Sequence, residues 1–216
     1  MQMATKTRRR IHRWTSADLV RLPDDGNRYE VLDGELLVTP QARFQHQRIA
    51  TRLVLALEPY CARHALGGVV GPGAVVFGKN ELQPDVQVVP GAEPSVHMEW
   101  KDLPTPLLVA EVLSDSTERR DFGKKRDAYV RIGIPTYWVI DAEHRRVHVW
   151  TSADLTRGGG APAPVEHVAA IPGDRVTATP ADSEPTIITD VLRWQPRADV
   201  PPLEIPLEAF LPRAGS

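Results

Sequence analysis

"LLVAEVLSDSTERRDFGKKRDAYVRIGIP", residues 107–135, decides the fold. Its opening segment, 107–113, is apolar except for Glu111. Successive side chains of a strand alternate faces. Leu107, Val109, Glu111 and Leu113 therefore share one face, and Leu108, Ala110 and Val112 the other. An ionised carboxylate among such neighbours costs several kcal/mol unless it is paired, bound to metal or at the solvent end of the strand. The stretch then predicts a helix over 121–132, stopped by Gly133 and Pro135. At helical spacing Phe122, Lys125, Ala128, Tyr129 and Ile132 form its inward stripe, whereas Lys124, Arg126, Asp127 and Arg131 fall elsewhere. Of the two adjacent lysines, Lys125 is the one aimed at the core.

A second acid lies upstream in "LQPDVQVVP", residues 82–90. Pro84 cannot donate to a sheet ladder, so it suits the beginning of a strand and places Asp85 at its mouth. Asp85, Gln87 and Val89 share a face. Two carboxylates and an ammonium group at one sheet edge make a hard-cation site, and Mg²⁺ takes such oxygen ligands together with water or phosphate. A cation held there polarises a phosphoryl oxygen and acidifies its water, while the lysine orients that water and neutralises charge developing on phosphorus. Spacing alone leaves a second reading open, in which Lys125 and the acids form a structural ion-pair cluster.

The remaining sequence places these residues in one α/β domain. Thr15 and Asp18 have the spacing of a capping box before a short helix. "RYEVL" (28–32) and "ELLVT" (35–39) flank Asp33-Gly34, a hairpin turn that needs positive φ at both positions. Ile49, Leu53, Val54, Leu57 and Tyr60 predict a helix over 45–64, with Pro59 bending it or ending its regular part early. Residues 67–91 read as two short strands punctuated by glycine and proline. "TYWVI" (136–140) and "RVHVW" (146–150) read as a further pair, "TRGGGAPAP" (156–164) as a flexible loop, and "PLEIPLEAFL" (202–211) as a closing short helix after edge strands. The organisation expected is a basic flexible tail over 1–13 and a single domain over 14–212.

With 26 basic against 28 acidic residues the chain has no overall electrostatic signature of nucleic-acid binding, although a local patch is compatible with that balance. Cys61 is the sole cysteine, which excludes a disulfide framework or a thiolate metal cluster. No apolar run is long enough for a membrane span and no apolar segment follows the basic start, so a cytoplasmic location is expected. Tyr137, Trp138 and Trp150 read as packing aromatics, and His144 and His148 show no metal-ligand spacing.

Five blocks, taken in order, carry a resemblance: "LPDDGNRYEVLDGELLVTP", His46 opening the first long helix, "PDVQVV", "VAEVLSDST" with "DFGKKRDAYVRIGIPTYWVID", and "LEIPLEAFL". Together they resemble the Uma-two family of restriction endonuclease-like proteins, within the PD-(D/E)XK nuclease superfamily. The resemblance implies a restriction-endonuclease-like core, a mixed central sheet flanked by helices, with the C-terminal strands added to it. It implies a Mg²⁺-dependent endonuclease acting on DNA, with Mn²⁺ as a substitute; a homodimer, common among soluble oligomers, would suit cleavage of both strands. Asp85 matches the PD aspartate and Glu111 the following acid, and both are the implied metal ligands. The motif's lysine position holds Leu113, and Lys125 is the lysine offered instead from the helix. Glu35, in the "DGEL" block, is a candidate ligand or water holder. His46 is a candidate to support a carboxylate, Gln87 to support the metal shell, and Tyr129 to fix the lysine. The competing expectation is a catalytically inactive, nuclease-like nucleic-acid-binding or regulatory protein, since a fold does not fix its function.

Overall fold

The computed structural model describes residues 12–91, 97–152 and 184–211. Most of the expected basic tail and the whole "TRGGGAPAP" loop lie outside the described residues. In chain order the elements are α1 (Ser16–Leu19), β1 (Arg28–Leu32), β2 (Glu35–Thr39), α2 (Phe44–Arg63), β3 (Gly68–Val70), β4 (Val75–Phe77), β5 (Asn80–Leu82) and β6 (Val86–Val89). There follow β7 (Leu108–Val112), α3 (Glu118–Arg120), a π-helical segment (Asp121–Lys125), α4 (Arg126–Arg131), β8 (Thr136–Asp141), β9 (Arg146–Thr151), β10 (Thr186–Ile188), β11 (Val191–Trp194) and β12 (Leu203–Pro206).

The central sheet has six strands in the order β10-β9-β8-β7-β6-β3. Only β7 and β8 run parallel; the other neighbours are antiparallel. A parallel pair cannot be joined by a tight hairpin, and the segment 118–131 lies in the crossover that joins β7 to β8. β10 adds the expected C-terminal edge strand, while β11 and β12 pair separately. The mixed sheet with helices against it is a restriction-endonuclease-like core.

Alternation along the strands feeds two different cores. Leu108, Ala110, Val112, Trp138, Ile140, Val147 and Val149 point to the side where Ile49, Leu53, Leu57 and Tyr60 of α2 pack, together with Leu192, Trp194 and Phe210. Val109, Tyr137, Val139 and Trp150 point to the other side. Leu32, Leu37 and Leu82, from a small sheet of order β2-β1-β5-β4, cover that side with Ala128 and Tyr129 of α4.

Several sequence expectations hold in detail. Thr15 and Asp18 form the capping box. Asp33 and Gly34 adopt φ of 52° and 86°, which lets the β1–β2 turn close tightly. Three expectations need correction. α2 does not end early but continues past Pro59 to Arg63: the carbonyl that Pro59 leaves free belongs to exposed Leu55, where water can take the bond. The span 67–91 holds four short strands, because β4 and β5 form their own hairpin and join β1. The crossover helix starts earlier than expected and is broken, with Gly123 at φ −114° and ψ −105° between its two parts.

Candidate active site

β6 and β7 set the two predicted carboxylates opposite each other. The register pairs Val86 with Ala110 and Gln87 with Val109, so one step toward the mouth of β6 brings Asp85 to face Glu111. Residues opposite in an antiparallel pair point to the same side, and the nearby Asp85 charge helps to raise the Glu111 pKa. Both acids are buried, Asp85 at 5 % and Glu111 at 1 % exposure. The chain passes very close here: a Cβ on Gly71 would lie 2.4 Å from the Asp85 carbonyl oxygen, so only glycine fits.

Each acid has its own partners. Asp85 Oδ1 accepts from Arg28 Nη1 at 2.7 Å; Oδ2 accepts from the Val112 amide at 2.8 Å and lies 3.0 Å from His46 Nε2. Burial works against the charge of Asp85, but His46 and Arg28 outweigh it and hold its pKa below the ordinary value. Glu111 Oε1 accepts from Lys125 Nζ at 3.0 Å and from the Tyr129 hydroxyl at 2.9 Å. Burial raises the Glu111 pKa to about 8, the nearby Asp121 and Asp85 adding to it and Lys125 opposing it.

Lys125 is 1 % exposed and faces more acid than the sequence suggested. Its Nζ lies 2.9 Å from Glu30 Oε1 and 3.9 Å from Asp121 Oδ1, besides Glu111. Burial opposes its charge, but Glu111, Glu30 and Asp121 prevail and raise its pKa, so the group remains an ammonium. The π-helical segment fits this arrangement. It lets Asp121 and Lys125 both turn inward where the chain is kinked, and such segments concentrate at functional sites.

The structure therefore brings Asp85, Glu111, Lys125, His46 and Tyr129 together. Gln87 is also buried on the same face, with its Nε2 lacking a hydrogen-bond partner. Glu35 is not part of this group. It is exposed and paired with the exposed Lys124, as expected of a polar residue beside a hairpin turn.

Sequence reading missed Glu30, Arg28 and Asp121. Glu30 shares the inward face of β1 with Leu32, and that alternation was a usable signal. Asp121 stands four residues before Lys125, an ordinary spacing for a helical ion pair. Arg28 reaches Asp85 only because β1 and β6 meet in three dimensions, and no local pattern announces that.

The cluster holds four carboxylates (Glu30, Asp85, Glu111, Asp121) against two permanent cations (Arg28, Lys125). Glu30 Oε2 and both Asp121 carboxylate oxygens are buried without a hydrogen-bond partner. Burial pushes the Asp121 pKa up to about 6. Among the described residues no group of three or more His, Cys, Asp or Glu side chains is arranged to hold a metal ion. A cation here would rest on the two opposed carboxylates, with water and substrate oxygens completing its shell, as suits Mg²⁺. The excess of negative charge and the oxygen donors are of the kind a divalent cation takes, while Arg28, His46 and the Val112 amide occupy both Asp85 oxygens.

Comparison with known proteins agrees with this architecture. A crystal structure described as "a putative nuclease belonging to DUF820" from Anabaena variabilis ATCC 29413 superposes with a TM-score of 0.53. It shares 19 % sequence identity and covers 64 % of this chain and 79 % of its own, a likeness of fold. No curated protein matches the chain. No described helix is long and apolar enough to cross a membrane. The profile of the Uma2 family, described as "Putative restriction endonuclease", matches residues 16–177, and the chain belongs to that family.

Proposed function

We propose that the protein is a divalent-metal-dependent endonuclease that hydrolyses phosphodiester bonds in DNA. The observation that carries this reading is the excess of buried carboxylate at the β6–β7 edge, two acids facing each other beside a single buried lysine. Asp85 and Glu111 would hold Mg²⁺, with Mn²⁺ as a substitute. Such an ion, when bound, polarises a phosphoryl oxygen and lowers the pKa of its water. Arg28 and His46 fix the Asp85 carboxylate, and Tyr129 fixes Glu111. Lys125, kept as an ammonium, donates to the attacking water and offsets the negative charge that grows on the phosphate oxygens. Glu30 and Asp121 hold Lys125 in place. The water gives up a proton to solvent as its oxygen bonds to phosphorus, the bridging P–O bond breaks, and the departing oxygen takes up a proton from solvent. The proposal places the enzyme in the cytoplasm, as a homodimer where both strands of a duplex are cut.

A second reading, a nuclease-like binding or regulatory protein without catalysis, draws on the hold that Arg28 has on Asp85 Oδ1. Incubation of plasmid and single-stranded DNA with Mg²⁺ or Mn²⁺ separates the two. Cleavage that disappears with EDTA and in Asp85→Ala supports the enzyme. Intact DNA from wild type, with nucleic acid still bound, supports the second reading.

A further inference from the structure

The N-terminal half of α2 carries charge that the fold does not use. Residues 40–57 contain Arg43, Arg48 and Arg52 and no acidic residue, in a chain whose acids slightly outnumber its bases. Among the described residues none of these arginines enters an ion pair with a carboxylate. Arg43 and Arg48 are exposed and Arg52 is half-buried. The position of Arg43 opposes the local electrostatics, because the first turn of a helix carries partial positive charge and favours acids. Arg43 stands at the N-cap itself and supplies no capping hydrogen bond.

The same turns lead to the candidate active site. Phe44, Arg48, Thr51 and Leu55 lie along the outward crest of α2, Arg52 beside them, while His46 turns inward to Asp85. Gln47 and Thr51 border a cleft of about 130 Å³ whose far wall is Gly71 and Pro72 and whose lining includes Asp85. Phe44 is 75 % exposed and buries nothing in the core.

We infer that this crest is the track for the nucleic-acid strand, its arginines seating backbone phosphates and Phe44 stacking on an unpaired base, so that the strand enters the cleft at Asp85. Arginine pairs with phosphate through two parallel hydrogen bonds, and an aromatic among cations is the usual platform for single strands. The substrate expected is DNA with a single-stranded or unwound stretch. This inference rests on the nuclease reading only for the role of Asp85.

Fluorescence anisotropy of labelled oligothymidylate and of a blunt mixed-sequence duplex, both in EDTA so that nothing is cut, tests it. R43Q/R48Q/R52Q should bind oligothymidylate about tenfold or more weakly, and the slope of log affinity against log salt should fall by about 2, near 0.7 per lost phosphate contact. F44A should lose about tenfold on oligothymidylate and nothing on the duplex. Because Arg43, Arg48 and Phe44 are exposed and half-buried Arg52 is replaced by another polar side chain, circular dichroism should match wild type. A triple variant with wild-type affinity and salt slope, or a wild type that binds neither probe, overturns the inference. Equal loss by F44A on both probes overturns the stacking role. Binding through the arginines with no cleavage in Mg²⁺ would sink the nuclease reading alone, whereas wild-type cleavage and binding by the triple variant would sink the track alone.

Discussion

The two faces of β7 are packed by helical segments of opposite character. On one, α2 runs continuously from Phe44 to Arg63 and buries Ile49, Leu53, Leu57 and Tyr60 against Leu108, Ala110 and Val112. On the other, the segment 118–131 is kinked at Gly123 and buries Asp121 and Lys125 over Glu111. A single five-residue strand thus serves an apolar contact that stabilises the fold and a charged contact that costs stability. The second is what a fold shaped only for stability would lack, since an apolar replacement of similar volume is often as stable or more so. The difference assigns cohesion to the apolar side of β7 and most of the chemistry to the other, with His46 at the start of α2 reaching Asp85.

Removing the acids should break the comparison most sharply. Asp85→Ala and Glu111→Gln should each reduce cleavage by roughly 10³-fold or more, the scale seen when central catalytic groups are removed. Glu111→Gln should do so without lowering the melting temperature of the metal-free protein. Single-turnover cleavage and thermal denaturation in EDTA read the two effects separately.

Lys125→Met should destabilise by about 3–5 kcal/mol, because Glu111, Glu30 and Asp121 would lose the cation between them. On the apolar face, Leu53→Ala should cost about 2–5 kcal/mol through the cavity it leaves, and the surviving folded protein should cut DNA normally. Urea denaturation and activity per folded molecule together separate these cases. If Leu53→Ala lowers activity per folded molecule as far as Lys125→Met does, the division between the faces is wrong.

The acid face should also show itself in pH. Glu111 and Asp121 have folded pKa values raised by burial, to about 8 and about 6, so the native state keeps protons that the unfolded chain has released. Stability of the metal-free protein should therefore fall as pH rises from near 4 to near 8. The unfolding midpoint in EDTA, followed across that window, should decline throughout in wild type and level off above about pH 6 in Glu111→Gln, where only Asp121 still releases a proton. The smallest effect is expected at the surface. Glu35→Ala breaks an exposed pair with Lys124 and should change stability by less than about 0.5 kcal/mol and cleavage not at all.

What could be read in the sequence was what local physics controls. Strand alternation put Glu111 on an inward face, helical phase chose Lys125 over Lys124, and Asp33-Gly34 fixed the β1–β2 turn. Structure places all of these as expected. Glu30 and Arg28 were missed because their burial depends on β1 joining β5 and lying over the β6 mouth, contacts between residues fifty or more positions apart. The kink in the crossover was missed because helical periodicity averages over a single glycine. His46 was named from the resemblance, while its partner, Asp85, needed the packing of α2 on the sheet to be seen.

The central claim is that the opposed pair at the β6–β7 edge is a cation site. Calorimetric titration of Mn²⁺ into wild type and into Asp85→Asn/Glu111→Gln, both shown folded by circular dichroism, tests it most directly. Saturable binding to wild type that vanishes in the double variant is the result predicted. Equal heats from the two proteins would contradict it and leave the acids as a structural cluster.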